Sequence, residues 1–465
     1  MLELWIYQLC VQDIVKDLKR AIIVIVSILI VIVLSFSAYY NFLSNSSSIV
    51  YTSKAEHSTF TTEYPLNSKE SSPNAIAVDA KGNVWFGVEN GSYLGELNPA
   101  SGMIHEYPVP TLSRVSMTIW GIAIDNSRNL LWFTEQVSNA IWSFSLTNHT
   151  FKEYILKTPK ALPFGIAIDS KGNVWFTEFF GNKLGKITVS GNLSEYSMPV
   201  SSLAEPSAIT VDSTGKVWFA LPGMNSTGSY YNGKFTIYSL QGLVEYSVGI
   251  AVDSQGNLWL TQHGPSFIIE YNPETHYART ISSSIPPAGT SLPYFINVDR
   301  NGNVWFNEHY GNAMAEFIPS TNSLVEYFIP TREPVLGNIS GMITSTLSSN
   351  GEPWYTEFYS GKIGTINTGF PLNLNLSVLN DSNSVTDIPN GTSVTFKLLV
   401  SGSNAANAKL SASVGNFTHS FSFTFSSNNA ISILNDGAKS GVYFVTISAL
   451  TSSIGYSKVI EVRVP

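Results

Sequence analysis

Tryptophan recurs through the middle of the chain at intervals of 41 to 49 residues, each time in a short apolar run that follows a turn. Before the first six of these runs stands a strand-like segment that ends in aspartate, such as IAVD or IAID, and most units carry two further apolar runs after the tryptophan. Four short strands repeated about every 40 to 50 residues are typical of β-propeller blades. The seven tryptophans are Trp85, Trp132, Trp175, Trp218, Trp259, Trp305 and Trp354.

The repeat predicts an all-β fold with a seven-bladed β-propeller over residues 58–369. The seventh unit supplies only three strands before its pattern ends at residues 367–371. The segment TTEYPL, residues 61–66, matches the fourth strands of other units, such as EYPVP. We therefore expect residues 60–66 to pair beside 361–367 and to complete the last blade, which leaves no exposed sheet edge in the ring.

The final segment, residues 371–465, lacks the repeat but keeps alternating apolar runs such as SVTFKLLV and VYFVTISAL. These runs predict the strands of a small immunoglobulin-like β-sandwich. The segment contains neither cysteine nor tryptophan, so the cysteine pair and tryptophan of immunoglobulin domains are absent. A spacer or an adhesive contact is the expected role.

The N-terminus contains an uncharged apolar run, residues 21–40, of about the length that crosses a bilayer. Lys16, Lys19 and Arg20 precede it, which predicts a cytoplasmic arm at 1–20, a transmembrane anchor at 21–40 and a polar tether at 41–57. The rest of the chain would then lie outside a cell membrane that it crosses once. A cleaved signal peptide is the alternative.

The composition limits the partners of the exported part. A net charge of -8, with no basic cluster after the anchor, argues against nucleic-acid binding. The only cysteine, Cys10, precedes the anchor, so no disulfide is expected beyond it. Export would make the chain a candidate glycoprotein. Its Asn-x-Ser/Thr sequons stand at Asn45, Asn90, Asn148, Asn192, Asn225, Asn338, Asn375, Asn380, Asn390 and Asn416.

Acidic residues end the second strand of four units, in sequences such as Trp-Phe-Thr-Glu. Because neighbouring strands of a blade are antiparallel, the second strand ends at the mouth of the ring where the innermost strand begins. Loops of variable length open at this mouth, which is typical of a binding face. The acids are Glu135, Glu178, Glu308 and Glu357, and the residues that begin the innermost strands are Asn74, Trp120, Phe164, Ser207, Val248, Tyr294 and Ser340.

The repeat resembles the streptogramin B lyases, and the resemblance is closest in LPFGIAIDSKGNVWFTEFFGNKLGKITVSGNLSEYSMP, residues 162–199. It implies a seven-bladed propeller that opens a lactone ring by elimination with a divalent cation, usually magnesium. The family places a histidine at the start of certain innermost strands, near a Trp-Phe-Thr-Glu glutamate. Here all seven of those positions hold other residues, and His263 and His309 lie one position after the glutamate instead.

The candidate site combines these residues. We expect Glu135, Glu178, Glu308 and Glu357 to converge on a magnesium or calcium ion, because hard cations prefer carboxylate oxygens. The alternative is that each glutamate bonds to its own blade's turns. His309 with Glu308 is the candidate catalytic pair, and the expected ligand-binding residues are Asn74, Trp120, Phe164, His263 and Tyr294.

Three functions are compatible with this pattern. The first is a binding module that holds a small molecule, a glycan or a surface protein at the propeller mouth. The second is a divalent-cation-dependent lyase or hydrolase that acts on a lactone or ester, a carbon–oxygen lyase if the family's reaction is kept. The third is a structural protein of the cell envelope. The sequence leaves open whether the protein is an enzyme.

Overall fold

The computed structural model describes residues 48–89, 92–110, 118–200, 204–243, 245–264, 266–282, 291–332, 341–379, 385–414 and 421–465. Residues 49–465 form one compact unit built almost wholly of strands. The predicted anchor at 21–40 and Cys10 lie outside the described residues. In the described ranges, no helix has the length and apolar character needed to cross a membrane.

The repeat folds into seven antiparallel sheets. The chain enters through β1 (Ile49–Thr52), β2 (Glu56–His57) and β3 (Thr61–Pro65). Blade one contains β4 (Pro73–Val78), β5 (Val84–Val88), β6 (Tyr93–Asn98) and β7 (Met103–Pro108). Blade two contains β8 (Ile122–Asp125), β9 (Leu130–Glu135), β10 (Ala140–Ser145) and β11 (Phe151–Ile155). Blade three contains β12 (Pro163–Ile168), β13 (Val174–Glu178), β14 (Lys183–Ile187) and β15 (Leu193–Ser197).

The next four blades follow the same order. Blade four contains β16 (Ile209–Val211), β17 (Val217–Leu221), β18 (Ser226–Tyr231) and β19 (Lys234–Ser239). Blade five contains β20 (Ile250–Val252), β21 (Leu258–Gln262), β22 (Phe267–Tyr271) and β23 (Ala278–Ser282). Blade six contains β24 (Pro293–Val298), β25 (Val304–Glu308), β26 (Ala313–Ile318) and β27 (Ser323–Phe328). Blade seven contains β28 (Met342–Leu347), β29 (Pro353–Glu357) and β30 (Lys362–Ile366).

The N-terminal strands close the ring. Strand β3 pairs with β30 from Thr61 opposite Ile366 to Pro65 opposite Lys362, which confirms the predicted closure. Strand β2 extends blade seven by pairing with β3, and β1 extends blade one by pairing with β7. The segment from 49 to 65 therefore joins the outer edges of the first and last blades.

Repeated side chains hold each blade to the next. The Thr177 hydroxyl accepts a hydrogen bond from the Gly165 N–H at 2.9 Å and donates to the Ser207 carbonyl of blade four at 2.6 Å. Thr134 and Thr261 make the corresponding bonds to the carbonyls of Phe164 and Tyr294. These bonds fix the innermost strands, and so they position the residues at the mouth.

In four repeat units a hydrogen bond between tryptophan and the aspartate six residues before it stabilises the turn between them. The indole N–H of Trp175 donates to Asp169 at 3.0 Å, and the same bond forms from Trp85, Trp218 and Trp259 to their own aspartates. The indole rings are buried between blades, as the contact between Trp85 of blade one and Phe144 of blade two illustrates. Aromatic burial of this kind contributes to the cohesion between blades.

The C-terminal segment is made of β31 (Asn375–Leu379), β32 (Thr386–Asp387), β33 (Ser393–Ser401), β34 (Lys409–Val414), β35 (Phe421–Ser426), β36 (Ala430–Asn435), β37 (Gly441–Leu450) and β38 (Ile454–Val464). One sheet has the order β31-β33-β36-β35, and the other contains β38, β37 and β34. Strand β38 also pairs with β27, so the sheet of blade six continues into this segment. Short 3-10 turns occur at Lys69–Ser71, Pro222–Met224, Pro319–Thr321 and Ala405–Asn407.

Candidate functional site

Three of the residues that begin innermost strands meet at the mouth of the ring. The rings of Trp120 from blade two and Phe164 from blade three stack with centroids 4.9 Å apart and an interplanar angle of 15°. Tyr294 reaches Trp120 from blade six, on the other side of the ring, with a centroid distance of 6.3 Å. The predicted ligand-binding residues Trp120, Phe164 and Tyr294 are thus brought together across the mouth.

A central cavity of about 290 Å³ lies next to this aromatic cluster. The innermost strands line it mainly with aliphatic side chains, including Ile76, Ile122, Ile166, Ile209, Ile250 and Ile296. Trp120 borders both the cavity and the cluster. Polar residues, among them Asn297, Thr344 and Ser345, line it as well, so the cavity beside the aromatic cluster is mixed in character.

Two histidines stand against Tyr294. The ring of His263 makes an edge contact with Tyr294 at 4.9 Å, and the centroids of His263 and His309 are 6.2 Å apart. His309 Nδ1 lies 2.9 Å from the Met342 carbonyl. Because a carbonyl only accepts, Nδ1 carries the proton and Nε2 keeps its lone pair.

His263 has the opposite tautomer. It hydrogen-bonds to the backbone of Pro293, which has only a carbonyl to offer, while its Nδ1 is buried without a partner. The proton is therefore on Nε2, and the lone pair is on Nδ1. Each imidazole keeps one nitrogen able to accept a proton.

The surroundings keep both imidazoles neutral. Burial, reinforced by the neighbouring His309, lowers the pKa of His263 to about 4. Burial also lowers the pKa of His309 and raises the pKa of the Tyr294 hydroxyl. Near neutral pH the cluster is uncharged, with Tyr294 as a proton donor and the two histidines as acceptors.

The repeated glutamates do not join this cluster. Glu135 is fully buried and accepts hydrogen bonds from the backbone N–H groups of Val137 at 2.9 Å and Ser138 at 2.5 Å. The other three glutamates each face a second glutamate in the outer strand of their own blade. These pairs are Glu178 with Glu195, Glu308 with Glu326, and Glu357 with Glu63.

Burial governs the charge of these pairs. It raises the pKa of Glu178 to about 7, with a further contribution from the charge of Glu195. It also raises the pKa values of Glu308 and Glu357 well above the usual range, and the neighbouring carboxyl of Glu326 or Glu63 raises them further. Like charges disfavour the ionised form of two neighbouring carboxyl groups, and in blade seven Lys362 Nζ, 2.9 Å from Glu63 Oε2, offsets part of this repulsion.

The predicted convergence of Glu135, Glu178, Glu308 and Glu357 on one cation is therefore wrong, because each contacts its own blade. No group of three or more histidine, cysteine, aspartate or glutamate residues in the described ranges could hold a metal ion. The predicted pairing of Glu308 with His309 also fails. Successive residues of a strand face opposite sides, so Glu308 faces Glu326 while His309 faces Tyr294.

The other residues that begin innermost strands are buried within the fold or lie outside the described residues. Ser207 donates its hydroxyl hydrogen bond to the Val248 carbonyl at 2.9 Å. Asn74 is buried, and its Oδ1 has no hydrogen-bond partner. Ser340 lies outside the described residues. Asn74 is thus the one predicted ligand-binding residue that is not in contact with the aromatic cluster.

Sequence reasoning missed a rim of exposed apolar side chains around the mouth. In four blades the second residue after the glutamate is large, apolar and between 39% and 61% exposed. The signal is visible in TEQV, TEFF, NEHY and TEFY as a repeated apolar position outside any strand. The rim consists of Val137, Phe180, Tyr310 and Tyr359, and Phe179 contacts Phe164 within it at 5.7 Å.

Fold and site together define a ring-closed β-propeller with an aromatic, histidine-containing mouth. Residues 52–268 match the virginiamycin B lyase family. The match covers just under half of the chain, and it supports a propeller like those of this family.

Three solved structures show the relationship. A streptogramin B lyase is 28% identical, with a TM-score of 0.59, over 66% of this chain and 97% of that one. Virginiamycin B lyase from Staphylococcus aureus is 24% identical, with a TM-score of 0.58, over 69% of this chain and 99% of that one. A catalytically inactive variant of the latter, solved with quinupristin, gives the same values. None of the curated proteins matches the sequence.

Proposed function

We propose that the propeller mouth is a binding site for an uncharged ligand with a flat apolar face. The observation that carries this proposal is the meeting of Trp120, Phe164 and Tyr294 from three blades. Aromatic side chains offer a large, rigid contact area, and a few polar groups then fix the orientation of a bound ligand. Tyr294, His263 and His309 supply such groups.

The rim indicates the size of the ligand. Val137, Phe180, Tyr310 and Tyr359 surround the cluster with exposed apolar surface, which favours a ligand broader than a single ring. Both histidines are neutral near pH 7, so they offer no positive charge to an anionic ligand. A cyclic peptide with aromatic groups fits these requirements.

We place this mouth outside the cell membrane. The support is the apolar run at 21–40 with Lys16, Lys19 and Arg20 before it. On this view the apolar segment anchors the chain and the propeller presents its mouth to molecules at the cell surface. Protease added to intact cells should cut the propeller or its tether, and full resistance alongside a digested surface control contradicts this placement.

Catalysis is the second candidate, and one observation favours it. Two neutral imidazoles, those of His263 and His309, contact the ring of Tyr294, an arrangement that brings two candidate general bases close to a proton donor. A magnesium or calcium ion does not fit these residues, because hard cations prefer several oxygen ligands and the cluster offers aromatic rings and imidazoles. A lyase or hydrolase reaction here would therefore rest on His263 and His309.

Binding can be tested with quinupristin, the ligand named for the solved relative. We expect the purified protein to bind it, as measured by calorimetry, and Trp120→Ala to weaken binding at least tenfold. Tyr277→Ala is the matched control, because Tyr277 is exposed in the β22–β23 turn and should leave binding unchanged.

Three results distinguish a binding module from an enzyme and test the ligand class. Binding with the ring recovered intact supports a binding module. Ring opening that is lost in both His263→Ala and His309→Ala supports the enzyme instead. Absence of binding, or binding that Trp120→Ala leaves unchanged, contradicts the assignment of the mouth to this ligand class.

A further inference from the structure

The sequon at Asn148 is presented for modification. It lies in the exposed turn between β10 and β11, where residues 147–150 are all exposed. The Thr150 hydroxyl donates to Asn148 Oδ1 at 2.7 Å, so the hydroxyl and the amide of the sequon are already in contact. Asn148 Nδ2 makes no hydrogen bond within the described residues.

The sequon at Asn225, by contrast, takes part in hydrogen bonds that stabilise the fold. Asn225 Oδ1 accepts the backbone N–H of Tyr246 at 3.2 Å and holds the loop that leads to blade five. Ser226 and Thr227 are buried, and the Thr227 hydroxyl donates to the Phe219 carbonyl at 2.9 Å. The same tripeptide pattern is therefore inaccessible here.

The two sequons lie at opposite faces of the ring. Strand β9 ends at the mouth with Glu135, and β10 runs back from it, so the β10–β11 turn lies on the far face. Asn225 directly precedes β18, the third strand of blade four, which starts at the mouth. A glycan on Asn148 leaves the mouth open, whereas one on Asn225 would stand beside it.

We propose that Asn148 is an N-glycosylation site and that Asn225 is not. In the transfer, Asn148 Nδ2 forms a bond to the anomeric carbon of a lipid-linked glycosyl phosphate. The bond from that carbon to the phosphate oxygen breaks, the phosphate keeps the electron pair, and a base of the transferase takes the proton from Nδ2. This inference rests on the proposed outward location, because N-glycosylation is a modification of exported chains.

The test uses the full chain purified from the cells that produce it naturally. Peptides are compared by mass spectrometry before and after treatment with an amidase that releases N-glycans and converts the asparagine to aspartate. We expect conversion at Asn148 and none at Asn225. Thr150→Ala should abolish modification of Asn148, whereas Thr150→Ser should retain it.

Stability provides a control for these variants. Asn148 and Thr150 are exposed, so Thr150→Ala should leave the melting temperature within about 2 °C of the wild type. Glycan at Asn225, or glycan at Asn148 that survives Thr150→Ala, contradicts the proposal. An unmodified Asn148 in protein that external protease cuts overturns this inference alone. An unmodified Asn148 in protein that protease cannot reach overturns the proposed location as well.

Discussion

At the scale of single residues, the Trp-Phe-Thr-Glu motif is architectural. In blade three, Trp175 binds Asp169, Thr177 links to blade four, and Glu178 faces Glu195. The residues of the proposed ligand site lie elsewhere, at positions where the blades differ from one another. Trp120, Phe164 and Tyr294 occupy equivalent places in three blades, while Ser207 and Val248 occupy them in two others.

The buried glutamates predict an unusual dependence of stability on pH. Burial raises the pKa of Glu178 from 4.5 to about 7, so the folded state favours the protonated form. The contribution of Glu178 to the free energy of unfolding is fully present below pH 4.5 and is lost as pH rises through about 7. Glu178→Gln should remove that loss, which is of the order of 2–3 kcal/mol.

The free energy of unfolding in urea at pH 4.5 and pH 8 tests this. The exposed Glu274→Gln serves as the control and should follow the wild type at both values. If Glu178→Gln and the wild type lose the same stability between the two values, Glu178 is already ionised in the folded protein and the pairing with Glu195 is not as described.

At the scale of strands, the repeat determined what could be predicted. Blade number, the order of four strands and the closing strand β3 all leave a periodic trace in the sequence. The sequence does not show which way the side chains of Glu178 and its equivalents point. The same sequence pattern is compatible with a last side chain that points toward the axis of the ring and with one that points toward the outer strands. The pairing of β38 with β27 was also missed, because alternating apolar residues predict a strand but not the strand with which it pairs.

Strand β3 should contribute more to stability than its length implies. Deleting residues 58–67 removes its pairing with β30, five residue pairs in all, and opens the ring at blade seven. Lost ladder hydrogen bonds worth about 0.5–1.5 kcal/mol each predict a loss of several kcal/mol. The melting temperature should fall accordingly.

Deleting residues 49–57 is the matched control. It removes β1 and β2, which extend the edges of two blades without completing either. We expect a smaller fall in melting temperature. Equal effects of the two deletions would indicate that β3 does not close the ring.

At the scale of the whole molecule, the ring and the C-terminal strands form one continuous body. Side chains of blade six, including Trp305 and Tyr327, share a buried core with Leu376, Ile431 and Val445 of the C-terminal sheets. The predicted spacer is thus attached through a sheet rather than a flexible link. The immunoglobulin-like assignment itself stays a prediction.

We propose that the non-repeated aromatic mouth, and not the set of repeated glutamates, binds the ligand. Calorimetric titration of quinupristin into two variants, Phe164→Ala and Glu178→Gln, tests it most directly, with melting temperatures recorded to confirm folding. We predict that Phe164→Ala weakens binding at least tenfold, because it removes the ring stacked on Trp120, while Glu178→Gln binds like the wild type. Loss of binding in a folded Glu178→Gln variant, with full binding in Phe164→Ala, would contradict the account.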